Sequence, residues 1–304
     1  MAVTADPRDV IGEATLAELE ATLRGRTVRP SDPDYDQARA VWNAAHDRHP
    51  ALIIRCAGTA DVVRAVEFAR SEGLTVAVRG GAHSVAGFST SDGGVVVDTS
   101  PMKGIRVDPA ARRAVAQPGL TWSEFDHETQ ALGLAVTGGL VSSTGIAGFT
   151  LGGGLGWLLR KYGLTCDYLI SADVVTADGQ LLTASEQEHP DLFWALRGGG
   201  GNFGVVTSLE YRLHPVGPLV FAGRCSTTGR RRSRSCGAGA TSPPPCPTSS
   251  PPWPTSWSHR PCRSCPRRPT ARWWSPSWAS TPVRPRTAPR PASRCGPWPS
   301  RSPT

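Results

Sequence analysis

The apolar positions from Pro50 onwards follow two different periods along the chain. A short apolar run at 51–56 predicts a strand. The next segment has apolar residues at helical spacing, at Val62, Ala65, Val66 and Ala69. We place the cap of this helix at Thr59 and its end at Gly73, before a second strand at 74–78. This order predicts a β-α-β unit.

Further patterns predict the rest of the region. Apolar runs indicate strands at 93–100, 112–119 and 204–213. The stretch 171–184 predicts a hairpin with Asp178-Gly179 as its turn. Capping boxes are expected at Thr121 with Glu124, before a helix of Trp122, Phe125 and Leu132, and at Ser185 with Glu188, before "DLFWALR". The alternation of strands and helices predicts an α/β or α+β fold with a mixed sheet, and we adopt the α+β class.

The composition changes abruptly near residue 225. All 25 acidic residues precede residue 226, with 19 of the 33 basic ones, so residues 1–225 carry a net charge of −6. The remaining 14 basic residues, all Arg, lie in the tail 226–304, so the basic balance belongs to the tail. Apart from His259 and Val283, the tail contains only Ser, Pro, Thr, Ala, Cys, Trp, Arg and Gly. Such a segment has almost no aliphatic side chains to bury, and we expect it to be unstructured.

The restricted set of amino-acid types in the tail suggests its origin. Each of these eight residue types has a codon with G or C at the second position. A GC-rich gene has G or C mostly at the third codon position, and reading it in a shifted frame moves this bias to the second position. We therefore interpret the tail as a frameshift product that begins near residues 222–225. The alternative is a genuine disordered tail rich in Arg, Pro and Ser. His259, Cys262 and Cys265 imitate the spacing of a zinc site, but we expect no metal site.

Glycine is concentrated in three segments, 79–84 ("RGGAHS"), 138–156 and 197–204. Successive backbone N–H groups in glycine-rich turns form concave sites for anions such as a pyrophosphate. One such loop can be a simple tight turn, whereas three in one region favour a large phosphate-bearing cofactor. The third segment satisfies G-x-G-x-x-G, but a helical pattern precedes it and a strand follows it. A dinucleotide-binding fold requires the opposite order, so we reject that fold.

These motifs, in this order, resemble a known family. The sequences "RGGAHS", "TGIAGFTLGGGLGWLLRKYGLTCD", "DVVTADG" and "DLFWALRGGGGNFGVVT" make residues 36–222 similar to the FAD-linked oxidases of the berberine-bridge-enzyme type, in the vanillyl-alcohol-oxidase superfamily. The resemblance implies a PCMH-type FAD-binding domain of two α/β subdomains. It divides the chain into an N-terminal segment (1–35), this domain (36–222) and the tail (223–304).

The resemblance also implies the cofactor and its contacts. His83 occupies the position of a histidine that bonds covalently to the 8α-methyl of FAD, and Val141 stands where some members have a second, cysteinyl link. One covalent link is therefore expected. The residues at cofactor-binding positions are Arg79, Gly80, Gly81, Ala82, His83, Ser84, Pro118, Gly119, Gly139, Ser143, Thr144, Gly145, Gly148, Phe149, Val174 and Val175. The two valines fall where backbone groups meet the adenine.

The family's substrate domain is not recognisable after residue 222, and no catalytic base is identified. We expect an FAD-dependent oxidoreductase that oxidises an alcohol, a sugar or a secondary metabolite, with hydride transfer to flavin N5 and reoxidation by oxygen. The alternative is a non-enzymatic binding protein with an Arg-rich arm ("GRRRSRS", 229–235) for nucleic acid. The leading interpretation includes neither a nucleic-acid nor a membrane partner. The acidic N-terminus lacks an apolar signal region, so a cytoplasmic location is expected.

Overall fold

A computed structural model describes residues 11–217 and 219–220. The helices are α1 (Glu13–Thr22), α2 (Tyr35–Arg39), α3 (Thr59–Ser71), α4 (Trp122–Gln130), α5 (Ile146–Leu151), α6 (Leu159–Tyr162) and α7 (Pro190–Leu196), and a 3-10 helix spans Thr165–Tyr168. The strands are β1 (Arg26–Val28), β2 (Leu52–Arg55), β3 (Val76–Arg79), β4 (Val95–Asp98), β5 (Ile105–Asp108), β6 (Arg113–Ala116), β7 (Leu134–Ala135), β8 (Leu169–Val175), β9 (Leu181–Ser185), β10 (Val205–Arg212) and β11 (His214–Pro215).

The first sheet has the strand order β1-β2-β4-β3. Its strands β2, β4 and β3 are parallel, and β1 pairs antiparallel with β2 at the edge. Helix α3 connects β2 to β3 and buries the predicted apolar stripe against this sheet. Every residue of β4 is buried, as expected of a central parallel strand covered on both faces. The predicted β-α-β unit is therefore confirmed.

The second sheet is antiparallel, with the order β5-β6-β10-β8-β9. Its core contains an aromatic cluster in which the rings of Trp122 and Tyr211 each contact Phe125 edge-on, both at a centroid distance of 5.3 Å. The predicted hairpin is the pair β8-β9, and Gly179 in its turn has φ +85°, a conformation that favours glycine. A two-stranded sheet of β7 and β11 completes the strands of the described part of the chain.

Strand β8 connects the two hydrophobic cores. Val174 packs in the core of the second sheet, whereas its neighbour Val175 packs in the core beneath α3. Successive side chains of a strand point to opposite faces, so one strand contributes to both cores. The N-terminal segment contributes as well, because Leu16 and Leu19 of α1 are buried in the first core.

Most of the predicted elements are confirmed, including the α+β class and the strand 204–213, observed as β10. Three details were wrong. The cap of α3 is Gly58, and Thr59 is already the first helical residue. Leu132 lies beyond the end of α4 and is exposed. The Ser185 hydroxyl accepts hydrogen bonds from the backbone of the next turn, but α7 begins only at Pro190, after the cap residue His189.

The tail lies outside the described residues. This applies to the expected lack of structure in 223–304, to the zinc-like spacing of His259, Cys262 and Cys265, and to the arginines of 229–235. The predicted domain boundaries stay predictions.

Candidate functional site

The segment "RGGAHS" follows β3 directly, at the carboxyl end of a parallel strand. Here it contacts the second glycine-rich segment. A methyl group placed on Gly81 would lie 2.6 Å from Gly145 Cα, and one placed on Gly145 would lie 2.8 Å from Gly81 Cα. Side chains do not tolerate such distances from a backbone atom, so glycine at both positions permits the contact. Two motifs that are separate in the sequence thus form one site.

The backbone of this loop is rich in free donors. Within the described part of the chain, the five N–H groups of residues 80–84 donate no hydrogen bond. Ala82 has φ +55°, a left-handed conformation that is uncommon for a residue with a side chain. Consecutive free N–H groups in a turned backbone are the donor set that binds an anion. The loop therefore fits the pyrophosphate of FAD by its donors as well as by its sequence.

The side chain of Arg79 holds a neighbouring segment. Its guanidinium donates hydrogen bonds to the carbonyl oxygens of Ala38 and of Ala40, the latter at 2.7 Å. The carbonyl of Arg79 accepts hydrogen bonds from the N–H and the hydroxyl of Thr99. Arg79 thus fixes the start of the loop, and its predicted contact with a cofactor stays a prediction.

His83 is half-buried at the centre of the site. Its Nε2 lies 3.1 Å from the hydroxyl oxygen of Ser143. Its ring stacks on Trp42, with centroids 5.1 Å apart and planes inclined by 19°. Burial lowers the pKa of the His83 imidazole below its ordinary value, which favours the neutral form. A neutral imidazole retains a lone pair and can act as a nucleophile.

The other predicted residues fall into two groups. The first group borders the loop or the segment that contacts it. The carbonyl of Pro118 faces Gly80, and Gly119 packs against the carbonyls of Ser100 and Met102. The hydroxyl of Ser84 accepts a hydrogen bond from the N–H of Phe88, and the carbonyl of Thr144 accepts one from the N–H of Trp122. The second group lies farther from the loop. Gly139 packs against the Trp122 ring, Phe149 contacts the same ring edge-on, and Gly148 faces open space on α5. Val174 and Val175 are fully buried on β8 and paired with β10.

Val141, where the resemblance implies a second link in some members, is exposed in the loop before α5. Cys166 is buried, and burial raises the pKa of its thiol, as expected of a small core residue. Tyr211 is buried as well, and its hydroxyl lies 2.8 Å from that of Thr150, so this phenol is directed into the core.

Sequence reasoning missed the segment that borders the site on its outer side. Trp42 stacks on His83, the side chains of Asn43 and His46 bind the carbonyl oxygen of Val85, and Arg48 donates to that of Gly87. The only signal was one large aromatic residue in a polar stretch.

Among the described residues, no helix is long and apolar enough to cross a membrane, and no three His, Cys, Asp or Glu side chains converge as metal ligands.

Comparison with known proteins gives consistent matches. Residues 50–185 match the family described as FAD binding domain. (R)-6-hydroxynicotine oxidase of Paenarthrobacter nicotinovorans is 38% identical over 202 residues, which cover 66% of this chain and 44% of that protein. The crystal structure of 6-hydroxy-D-nicotine oxidase from Arthrobacter nicotinovorans aligns with a TM-score of 0.63 at 39% identity, over 64% of this chain and 43% of that one.

A third match is the glucooligosaccharide oxidase of Acremonium strictum, whose structure is described as containing a 6-S-cysteinyl, 8α-N1-histidyl FAD. It aligns with a TM-score of 0.61 at 31% identity, over 66% of this chain and 42% of that one. The chain spans less than half the length of each of these three relatives.

The fold, the glycine loops and these matches define an FAD-binding domain of the class found in FAD-linked oxidoreductases. The proteins that it resembles are FAD-linked oxidoreductases of the berberine-bridge-enzyme type, in agreement with the motifs of residues 36–222.

Proposed function

We propose that this chain provides the flavin-binding half of an FAD-linked oxidase. The backbone N–H groups of residues 80–84 bind the pyrophosphate, and His83 bonds covalently to the 8α-methyl of the flavin. The observation that carries this proposal is the convergence at one point of the backbone N–H groups of residues 80–84, which have no acceptor among the described residues, the half-buried imidazole of His83 and the segment 143–145.

Bound FAD would supply the redox chemistry, by accepting a hydride from an organic substrate and passing the electrons to oxygen. The residues described here bind and orient it. The donors of 80–84 offset the charge of the phosphates, and His83 prevents loss of the cofactor. No described residue is assigned the role of catalytic base.

Exposed apolar side chains near the site support a role as one half of a larger enzyme. Large apolar residues in the surrounding loops are exposed: Trp42, Val85, Phe88, Leu140, Val141, Leu155 and Trp157. Such a concentration is typical of a surface that a ligand or another domain covers. The relatives are more than twice as long as the region they share with this chain. We therefore propose a small organic substrate, bound between this domain and a second one.

The relatives oxidise different compounds, since one is named for hydroxynicotine and another for glucooligosaccharides. The proposal therefore covers an amine, an alcohol or a sugar with oxygen as the electron acceptor. The alternative, nucleic-acid binding through the Arg-rich arm at 229–235, has no support among the relatives named above, which are oxidases, and residues 1–225 carry a net negative charge.

The test is covalent flavin retention. The full chain is incubated with FAD, precipitated with acid and assayed for yellow flavin in the pellet. The wild type should retain flavin, His83→Ala should release it, and the control His127→Ala, an exposed histidine on α4, should retain it. Flavin retained by His83→Ala would contradict the assignment and direct attention to Cys166. If no FAD binds to the wild type, this chain is not an autonomous flavin domain.

A further inference from the structure

The imidazole of His83 is held on one face and at one nitrogen. Trp42 covers a face of the ring by stacking, and the Ser143 hydroxyl lies at Nε2. The other ring nitrogen, Nδ1, has no hydrogen-bond partner within the described part of the chain. The two contacts come from segments about forty and sixty residues away along the sequence.

Trp42 is fixed to the loop that carries His83. Its backbone N–H donates to the carbonyl oxygen of Ala82 at 3.1 Å. The next residue, Asn43, donates from its side-chain amide to the carbonyl oxygen of Val85 at 3.0 Å. The indole thus has a defined position although 65% of its surface is exposed. Its stacking on His83 orders the imidazole without burying much of the indole itself.

Ser143 is fixed in the same way. The carbonyl before it, of Ser142, accepts a hydrogen bond from the N–H of Ser123 at 2.9 Å. The carbonyl after it, of Thr144, accepts one from the N–H of Trp122 at 3.0 Å. Both donors belong to the first turn of α4, so the hydroxyl of Ser143 is held at a set place beside His83.

A neutral imidazole carries its proton on one nitrogen and a lone pair on the other. The Ser143 hydroxyl can accept a hydrogen bond from Nε2–H or donate one to an Nε2 lone pair, so its contact is compatible with either tautomer of His83. When Nε2–H donates to the Ser143 hydroxyl, the lone pair lies on Nδ1, which has no hydrogen-bond partner among the described residues. That nitrogen is then the nucleophile.

We infer that Ser143 and Trp42 are positioning residues, which hold His83 as its Nε2–H tautomer and present Nδ1 for attachment of the flavin. This inference rests on the proposed function. In the attachment step, His83 Nδ1 supplies the electron pair for a new N–C bond to the 8α-methyl carbon. One proton leaves that carbon and one leaves Nε2 through the Ser143 hydroxyl, and molecular oxygen takes up the two electrons and two protons as hydrogen peroxide.

The first measurement concerns the rate of attachment. The full chain is incubated with FAD, and total bound flavin and covalent flavin are followed separately. Ser143→Ala should bind FAD but attach it roughly tenfold to a hundredfold more slowly, because misplacement of a reacting group has costs of that size. Ser143→Thr, which keeps the hydroxyl, should restore the rate, and Ser142→Ala should behave as the wild type. Trp42→Ala should also slow attachment, and Trp42→Phe should recover most of the rate.

The second measurement identifies the bonded nitrogen. The histidyl-flavin peptide from the wild type should be a single isomer, bonded at Nδ1, whereas Ser143→Ala should give a mixture of Nδ1 and Nε2 isomers. Nitrogen spectra of the protein without FAD provide a readout that is independent of the cofactor. They should show the Nε2–H tautomer of His83 in the wild type, with a shifted Nε2 resonance in Ser143→Ala and an unchanged one in Ser142→Ala.

Two results would overturn the inference while leaving the proposed function intact. One is covalent attachment in Ser143→Ala at the wild-type rate with the same single isomer. The other is a set of spectra in which Ser143→Ala and Ser142→Ala cannot be distinguished. A wild-type chain that binds FAD without covalent attachment would overturn both the His83 link and this inference.

Discussion

Single glycines at the site differ in what a side chain at their position would meet. Gly81 faces the backbone of Gly145, which cannot move without displacing the start of α5. Gly148 lies within α5, and a methyl group added there would have no neighbouring atom within 4 Å. The two residues are similar in sequence context, since both belong to glycine-rich motifs, but they differ in physical constraint.

We expect Gly81→Ala to lower the free energy of unfolding by about 1–3 kcal/mol, because the added methyl would force the two loops apart. Gly148→Ala should be neutral or stabilising by up to about 1 kcal/mol, because alanine favours the helix and meets no neighbour. Urea unfolding of the protein without FAD measures both values. Equal effects of the two substitutions would contradict the close packing of the loops.

Asp126 gives a prediction of pH dependence. Burial raises the pKa of its carboxyl to about 6. Since the folded state binds this proton more tightly than the unfolded state, the ionised carboxyl destabilises the fold above pH 6. This destabilisation decreases as the pH falls from 6 and is absent below about pH 4, the ordinary range of an aspartate.

Asp126→Asn should therefore raise the free energy of unfolding at pH 8 by on the order of 1–2 kcal/mol. At pH 4 the variant and the wild type should be nearly equal. Glu186→Gln, which changes an exposed carboxylate, is the control and should have little effect at either pH. A stabilisation by Asp126→Asn that is the same at both pH values would contradict the assigned cause.

Among the structural elements, the two predicted capping boxes had different outcomes. At the start of α4, the N–H and the hydroxyl of Thr121 both donate to the carboxylate of Glu124, at 2.8 and 2.9 Å, and Lys103 pairs with the same side chain. The carboxylate of Glu188 makes no hydrogen bond within the described part of the chain. The sequence pattern is the same, but only the first box stands at the start of a helix.

We expect Glu124→Ala to destabilise the protein by about 0.5–2 kcal/mol, the usual cost of losing a helix cap. Glu188→Ala should change stability by less than about 0.5 kcal/mol, as for an exposed surface substitution. Glu124→Gln, which keeps an acceptor, should fall between them. Thermal and urea unfolding provide the measurements, and a loss in Glu188→Ala equal to that in Glu124→Ala would show that both boxes act as caps.

Elements with a clear period were predictable from sequence. These include α3, the hairpin β8-β9 and β10, each long enough to show its alternation or its apolar stripe. The missed elements are short, such as β1, β7, β11 and α6, which have two to four residues each. Two to four residues cannot express a period, and such elements form because a neighbouring segment pairs with them or packs on them.

At the scale of the whole molecule, the described residues provide a cofactor site but no assigned base. The second domain proposed above would close one side of the flavin and position the substrate. The sequence after residue 225 has a different composition, and the frameshift interpretation stays a prediction.

We expect the chain as written to have little or no oxidase turnover, and a gene with the reading frame restored near residue 223 to recover it. Loss of a general base alone typically costs about a hundredfold to ten-thousandfold. Both versions are expressed with FAD, and oxygen consumption is measured over a panel of sugars and phenolic alcohols. Comparable turnover from the chain as written would show that it contains the base and that its tail is genuine.

The sequence by itself determined the fold class, the three glycine-rich segments and the identity of His83 as the residue to test, because these depend on local periods and on short motifs. Only the tertiary structure brought Gly81 against Gly145 and placed Ser143 and Trp42 on two sides of His83. It also decided that Ser185 caps no helix. The physical reason is that contacts between residues forty to sixty positions apart depend on how sheets and loops pack, and such contacts leave no periodic pattern along the chain.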